Sequence, residues 1–246
     1  MYIKETTGTN TLLKENYLNK ENFFFIRAGF QTAGRGQAGN VWESEADKNL
    51  LFSVLLKNPP IPIESSFRLS MATSLSIVDA LKIDEVRIKW PNDIYYEDKK
   101  LGGILIENII SYNAIRYSII GVGLNINQIK WSVSVPNPIS MAMITGHPCD
   151  IDEIFAVILE SLKTRMRSLE EPKMKEEYMG HLFWREGLHR YRIRENLALP
   201  NTPIYDKGNS FMASIVDVND SGQIILCTEE GIYHTFHFKQ IAYVFS

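Results

Sequence analysis

Groups with reactive or binding chemistry cluster between Lys89 and Gly103. Lys89-Trp90-Pro91-Asn92-Asp93 is followed by Asp98 and Lys99, then by Lys100-Leu101-Gly102-Gly103 and the apolar run Ile104-Leu105-Ile106. Two segments that read as buried strands are joined by a bend carrying a carboxylate, a carboxamide and a lysine. An unpaired charge in a strand core costs several kcal/mol, so this placement implies a task for these groups. The adjacent glycines that follow let a ligand or another backbone come close to Lys100. The chemistry implied is recognition of an anionic, phosphate-bearing ligand.

Three other constellations carry comparable chemistry. Gln31-Thr32-Ala33-Gly34-Arg35-Gly36-Gln37-Ala38-Gly39, with Trp42 beyond it, is a glycine-rich loop after a strand. Its backbone N–H groups could wrap an anion, and Arg35 adds a planar, permanently charged fork suited to phosphate or carboxylate. A flexible surface turn has the same composition, and the Gly-Lys-Ser/Thr ending of a P-loop is absent. Gly121-Val122-Gly123-Leu124-Asn125-Ile126-Asn127 reads either as a strand approached closely by a ligand or as a strand-ending turn. Thr7-Gly8-Thr9-Asn10 reads as a helix N-cap for Thr11 to Tyr17, or as polar lining for a pocket at that helix end.

The elements that would position these groups follow from periodicity. Strands are expected at Phe23–Arg27, Leu50–Leu56, Val86–Trp90, Ile104–Ile110 and Tyr117–Val122. Several are continuously apolar, as strands covered on both faces are. Phe67, Met71, Leu75, Val78 and Leu81 recur at helical spacing within Ser66–Lys82. Asp150, with Glu153 three residues on, reads as a capping box for the amphipathic run from Ile151 to Leu169, which Pro172 stops. A second helical piece carries Tyr178, Leu182 and Phe183. After Trp184, Phe211–Val218, Gln223–Cys227 and Gly231–Phe238 read as short strands with hairpin turns at Asn219–Gly222 and Glu229–Gly231. The expectation is an α+β fold: a mixed central sheet with helices packed on it in residues 1–184, and a small SH3-like β-barrel in 185–246.

At 246 residues, 45% hydrophobic and 22% charged, the chain has an ordinary globular composition, and its net charge of −3 gives no nucleic-acid footprint. Cys149 and Cys227 read as two reduced thiols. His147, His181, His189, His234 and His237 have no metal-ligand spacing, and no metal residues are assigned. The polar N-terminus shows no secretory signal, and no apolar run is long enough to span a membrane, so the expected compartment is the cytoplasm. Trp90 and Pro91 read as strand-end packing, and Lys89 as an ordinary exposed charge.

Taken together, Gly34-Arg35-Gly36, Lys89 to Asp93, Lys100 to Gly103 and Gly121 to Asn125 resemble the biotin protein ligases in order and spacing, and Thr9-Asn10 matches the end of that family's Ser-Thr-Asn signature. The resemblance covers essentially the whole chain. Two departures stand out: Gln37-Ala38 replaces two arginines of the family's loop, removing positive charge that would hold an acyl-adenylate. Gly8 replaces the signature serine, removing a hydroxyl that would bond the biotin ureido group.

The resemblance implies the class II synthetase-like fold of biotin and lipoate ligases, and two half-reactions. Biotin and ATP would give biotinyl-5'-AMP and pyrophosphate, with magnesium accompanying ATP, and a lysine of a biotin carboxyl carrier protein domain would then take the acyl group. Lys100 and Arg35 are the candidate catalytic cations and Asp93 the group that orients Lys100 or polarises the incoming lysine. Gly34 and Gly36 would supply backbone donors. Gly8, Thr9, Asn10, Gln31, Gly34, Arg35, Gly36, Lys100 and Gly103 would face biotin. Arg35, Gln37, Trp42, Asn92, Asp93, Lys100 and Asn125 would hold ATP. Reaching Thr9-Asn10 so early implies the monofunctional type without an N-terminal DNA-binding domain, hence no DNA partner. A homodimer through a sheet edge is open, and the rival readings are a lipoate–protein ligase and a non-catalytic biotin-binding sensor.

Overall fold

Continuous apolar runs need cover on both faces, and Leu50–Lys57, buried over its first seven residues, sits in the middle of a sheet that has it. The computed structural model describes residues 1–132, 135–195 and 208–245. Within them, seven strands form the main sheet: β1 (Tyr2–Thr6), β2 (Phe25–Gln31), β3 (Leu50–Lys57), β4 (Val86–Lys89), β5 (Asp93–Tyr96), β6 (Lys99–Ser111) and β7 (Ala114–Leu124). Their order is β1-β2-β3-β7-β6-β5-β4; β1 and β2 run parallel and the other pairings are antiparallel.

Helix α1 (Thr9–Asn16) covers one face, where Leu13 packs with Ile26, Leu55 and Ile119. The other face is buried by α2 (Arg68–Leu81) and α4 (Ile151–Arg167), with the short α3 (Met141–Thr145) just before α4 and α5 (Pro172–Gly180) after it. A second, antiparallel sheet holds β8 (His189–Ile193), β9 (Ser210–Val218), β10 (Ile224–Thr228), β11 (Tyr233–Phe236) and β12 (Ile241–Tyr243) in the order β11-β10-β9-β8-β12. Its core residues Tyr191, Ile215 and Phe236 belong to the same apolar cluster as Phe52 and Leu75 of the main body. Trp90 Nε1 donates to Gly222 O at 2.8 Å, and the Arg68 guanidinium meets Asp220 at 3.1 Å, tying the two sheets further. The mixed sheet, its helices and the second sheet are the α+β architecture that the periodicity implies.

The differences from the expected elements have local causes. β1, β5, β8 and β12 are only three to five residues long, too short to establish a period. Asp150 does cap α4, its carboxylate accepting from the N–H groups of Asp152 and Glu153 at 2.8 and 3.1 Å. Pro172 is the first residue of α5, where its missing N–H is harmless; α4 has already ended at Arg167. The reading of Thr7–Asn10 as a side-chain cap is corrected. Gly8 occupies the cap position with no side-chain bond, and Thr9 and Asn10 lie inside the helix. Among the described residues, no helix is long and apolar enough to cross a membrane.

Candidate functional site

A cavity of about 680 Å³ opens between the α1 face of the main sheet and the second sheet. Its floor follows from strand register. Lys89 pairs with Asp93, Asp93 with Gly103, Gly103 with Gly123, and Gly123 with Leu51, so one row crosses β4, β5, β6, β7 and β3. Side chains of paired residues share a face. The glycines keep that floor flat: a Cβ on Gly123 would come within 2.5 Å of the Trp42 indole.

Lys100 reaches the same face through an irregularity. Ile94 pairs with Gly102 but Tyr95 with Lys100, leaving Leu101 as an extra residue. Strict alternation counted from Gly103 would turn Leu101 to the cavity and Lys100 to the interior. Instead Leu101 is fully buried in the core, and Lys100 Nζ stands 2.7 Å from Asp93 Oδ1 and 5.7 Å from the Trp42 ring centre. The lysine backbone is pinned on both sides, its N–H donating to Asn137 O at 2.7 Å and its carbonyl accepting from Ile139 N at 3.0 Å.

At the other end of the cavity, a buried polar chain links α1 to the sheet. Thr9 donates to Gln31 Oε1 from its N–H (2.8 Å) and its hydroxyl (3.1 Å). Ser53 Oγ lies 2.7 Å from Thr9 Oγ1 and 2.6 Å from Asn10 Oδ1. Asn10 Nδ2 donates to Leu105 O and to Glu107, at 3.2 and 3.0 Å. Glu107 also meets Lys14 and Arg35, each at 3.1 Å. Burial favours its neutral form, but the bonds from Asn10 and Lys14 and the Arg35 charge outweigh this and hold the carboxyl below its usual range. Neither Ser53 nor Glu107 was assigned a role from the sequence. Ser53 was visible only as a lone polar residue inside an apolar strand, and Glu107 only as half of the polar pair Glu107-Asn108 in another.

The glycine-rich loop closes on itself: Trp42 N donates to Gly34 O and Gly36 N to Asn40 O, at 2.9 and 2.7 Å, around a tight turn at Gln37–Gly39. The expectation that Gly36 offers a free N–H donor is therefore corrected. Most expected site residues do meet at the cavity: Gly8, Thr9, Asn10, Gln31, Arg35, Gly36, Gln37, Trp42, Asn92, Asp93, Lys100 and Gly103 all line it. Gly34 and Asn125 do not. Gly34 lies under the Trp42 backbone, where a Cβ would come within 2.7 Å of its carbonyl. Asn125 is 3% exposed and donates to Ile139 O at 3.0 Å and Lys100 O at 3.4 Å, so it braces the lysine rather than facing a ligand.

The reading of Lys89 as an ordinary exposed charge is also corrected. It lines the cavity, with Nζ 4.7 Å from the Tyr95 ring centre, 4.8 Å from Tyr243 and 5.7 Å from Phe245. Burial among these rings lowers its pKa to about 8, against the opposing pull of Asp93. Trp90 packs as expected, 3% exposed and bonded to Gly222, though it and Pro91 also touch the cavity. Among the described residues, no group of three metal-ligating side chains occurs.

Residues 2–125 match the biotin/lipoate A/B protein ligase family. The chain is 30% identical over 218 residues to the bifunctional ligase/repressor BirA of Bacillus spizizenii, spanning 84% of this chain and 62% of that protein. It is 32% identical over 145 residues to the biotin–[acetyl-CoA-carboxylase] ligase of Mycobacterium tuberculosis, spanning 56% of this chain and 52% of that protein. The fold aligns with the biotin protein ligase from Aquifex aeolicus in complex with biotin and ATP, at a TM-score of 0.75 and 25% identity, covering 100% of this chain and 98% of that one. The chain thus spans between half and two thirds of the two curated relatives and nearly all of the solved structure.

Proposed function

This chain belongs to the biotin/lipoate A/B protein ligase family, and from that premise we propose that it joins biotin to the α-phosphate of ATP, giving biotinyl-5'-AMP and releasing pyrophosphate, and then transfers the acyl group to a lysine of a biotin carboxyl carrier domain. The observation that carries the reading is the Lys100–Asp93 ion pair, set on a glycine floor in the same cavity as the polar chain at Thr9, Asn10 and Gln31. That chain offers amide and hydroxyl groups to a ureido ring, and Lys100 offers a cation where the acyl chain ends.

Bringing a carboxylate against the α-phosphate joins two anions, and preorganised cations favour the charge that develops. Lys100 is fixed for this by Asp93 and by its pinned backbone. Arg35 is half-exposed and held by Glu107, so it must exchange that carboxylate for the ligand as the loop closes over the intermediate and excludes water. In the second step the uncharged acceptor amine attacks the acyl carbonyl, the carbonyl–oxygen bond to AMP breaks, the nitrogen gives up its proton to solvent, and Lys100 neutralises the departing phosphate. Magnesium would draw its ligands mainly from phosphate oxygens and water, because the only carboxylate lining the cavity, among the described residues, is Asp93, already paired with Lys100.

We further place the reaction in the cytoplasm, with the carrier domain of a biotin-dependent carboxylase as partner. A second copy would add its strand at the outer edge of β1, since the β4 edge is already met by the 181–183 backbone at Ile88.

The test is incubation of the purified protein with radiolabelled biotin, ATP, magnesium and a carrier domain. Labelling of the carrier is expected. Lys100→Ala should lower the rate at least about 100-fold while the melting temperature stays within a few degrees, as for other partly exposed ion pairs. Biotin binding without any carrier labelling would overturn the ligase reading.

A further inference from the structure

The Glu107 carboxylate is shared by three donors. Asn10 Nδ2 on α1 and the Arg35 guanidinium on the glycine-rich loop both bond its Oε2, at 3.0 and 3.1 Å. Lys14 Nζ, one turn further along α1, bonds Oε1 at 3.1 Å. Neither Glu107 nor Lys14 lines the cavity, whereas Arg35 does. Glu107 stands four residues beyond Gly103 on β6, about 13 Å along the strand. The Lys100–Asp93 pair lies beside Gly103. Bonded to Glu107, the guanidinium is therefore drawn along the sheet, away from the reactive lysine.

The two cations on this carboxylate are not equivalent. Arg35 rides on a loop whose backbone closes on itself, through Trp42 to Gly34 and Gly36 to Asn40. Between Gly34 and Trp42, among the described residues, no other side chain bonds the sheet. The Arg35 side chain is 50% exposed and is free to swing without disturbing any packing. Lys14 belongs to a helix fastened to the sheet through Leu13. The Glu107 side chain is only 18% exposed, and a carboxylate so far from water is costly to leave unpaired. With Lys14 in place, Arg35 can depart and the charge is still answered. Without Lys14, departure of Arg35 strands it.

We propose that Glu107 is a holding carboxylate for Arg35, and that Lys14 sets how readily Arg35 is released, so that a pair outside the cavity governs how long the acyl-adenylate stays bound. The proposal deepens the ligase reading and rests on it for the identity of the anion to which Arg35 moves. The guanidinium has two competing partners, Glu107 and the ligand phosphate. Apparent affinity falls with the fraction of protein in which Arg35 is still held. Glu107→Gln keeps an amide oxygen for Asn10 but removes the charge that holds Arg35. Lys14→Met leaves that charge to Arg35 alone. The two substitutions act in opposite directions, and Lys14 acts only through Glu107.

Two measurements test this on the wild type, Glu107→Gln, Lys14→Met and the double variant. One is the release of pre-bound biotinyl-5'-AMP in a chase. The other needs no ligand: the rate of trypsin cleavage after Arg35, followed by mass. Glu107→Gln is expected to slow release and speed cleavage, each about threefold, and Lys14→Met to shift both about threefold the other way, the scale of a partly exposed ion pair. The double variant should match Glu107→Gln. A merely structural role would loosen the loop in both single variants and shift them in the same direction. Shifts of one sign, additive effects in the double variant, equal cleavage rates or an unchanged release rate would each overturn the proposal. If cleavage follows the expected order while the wild type binds no biotinyl-5'-AMP, the holding carboxylate stands and the ligase reading falls.

Discussion

Lys89 illustrates how a single side chain can be unfavourable for the fold and still be kept. With its pKa lowered from 10.5 to about 8, the folded protein releases this proton before the unfolded chain does. Between pH 8 and 10.5 the unfolded state binds more protons, so stability rises with pH there, and below pH 8 the full penalty is present. The shift corresponds to a net penalty of about 3 kcal/mol on the charged form, of which imperfect packing of a replacement side chain among the rings takes back about 1–2 kcal/mol. Lys89→Met is therefore expected to stabilise the protein by roughly 1–2 kcal/mol at pH 7, a gain that vanishes by about pH 10.5; thermal melts across this range check it. A second prediction concerns Gln37, which lines the cavity where the family resemblance expects arginine. Gln37→Arg restores a cation near the acyl-phosphate and should lengthen the lifetime of bound biotinyl-AMP at least about tenfold, as one charge-assisted bond of roughly 1.5–3 kcal/mol allows; an unchanged release rate in a chase experiment would remove that role. The motifs exposed Lys100 because a reactive group stands out beside an apolar strand, and Arg35 and Asn10 because a charge in a glycine-rich loop and a polar cluster at a helix start stand out as well. They did not expose the state of Lys89, whose ring cage comes from Tyr243 and Phe245, more than 150 residues away.

At the level of elements, the glycines of β7 decide which side chains can lie on the sheet. A Cβ on Gly121 would overlap the Asn10 carboxamide, which Ser53, Leu105 and Glu107 hold from three sides and which cannot step aside without breaking those bonds. Gly121→Ala is thus expected to lower stability by about 1–3 kcal/mol and to raise the KM for biotin at least tenfold with a smaller change in kcat. An equal fall in both would point to general misfolding. The long apolar strands and the amphipathic helices were legible because burial on one or both faces dictates their periodicity. The N-terminus of α1 was not, because Thr and Asn favour both a cap and a pocket lining, and only the position of Gln31 decides between them.

For the whole molecule, the second sheet shares one apolar core with the main body. One apolar cluster runs from Phe52 and Leu75 through Tyr178 to Ile215 and Phe236, and Arg185 donates to Ile215 O at 2.8 Å across the same junction. We expect calorimetry of the full chain to show one cooperative transition, and a fragment ending at residue 184 to fail to fold, since Trp90, Phe67 and Tyr178 would lose their cover. Two separate transitions would contradict this. The sequence showed where composition changes, after Trp184, but a change of pattern says nothing about how much core is shared across it.

The extra residue at Leu101 has a consequence for any attempt to rebuild this protein. The β5–β6 hairpin contains two kinds of length. Its tip at Glu97-Asp98 lies beyond the pairing of Tyr96 with Lys99, so residues added there would only extend an exposed turn. The stretch between Lys100 and Gly102 is governed by parity instead. A redesign that regularised this hairpin by inserting one residue between Ile94 and Tyr95, opposite Leu101, would leave every reactive residue in the sequence untouched. It would nevertheless turn Leu101 toward the cavity and drive Lys100 into the apolar interior, abolishing the chemistry without a single substitution in the site.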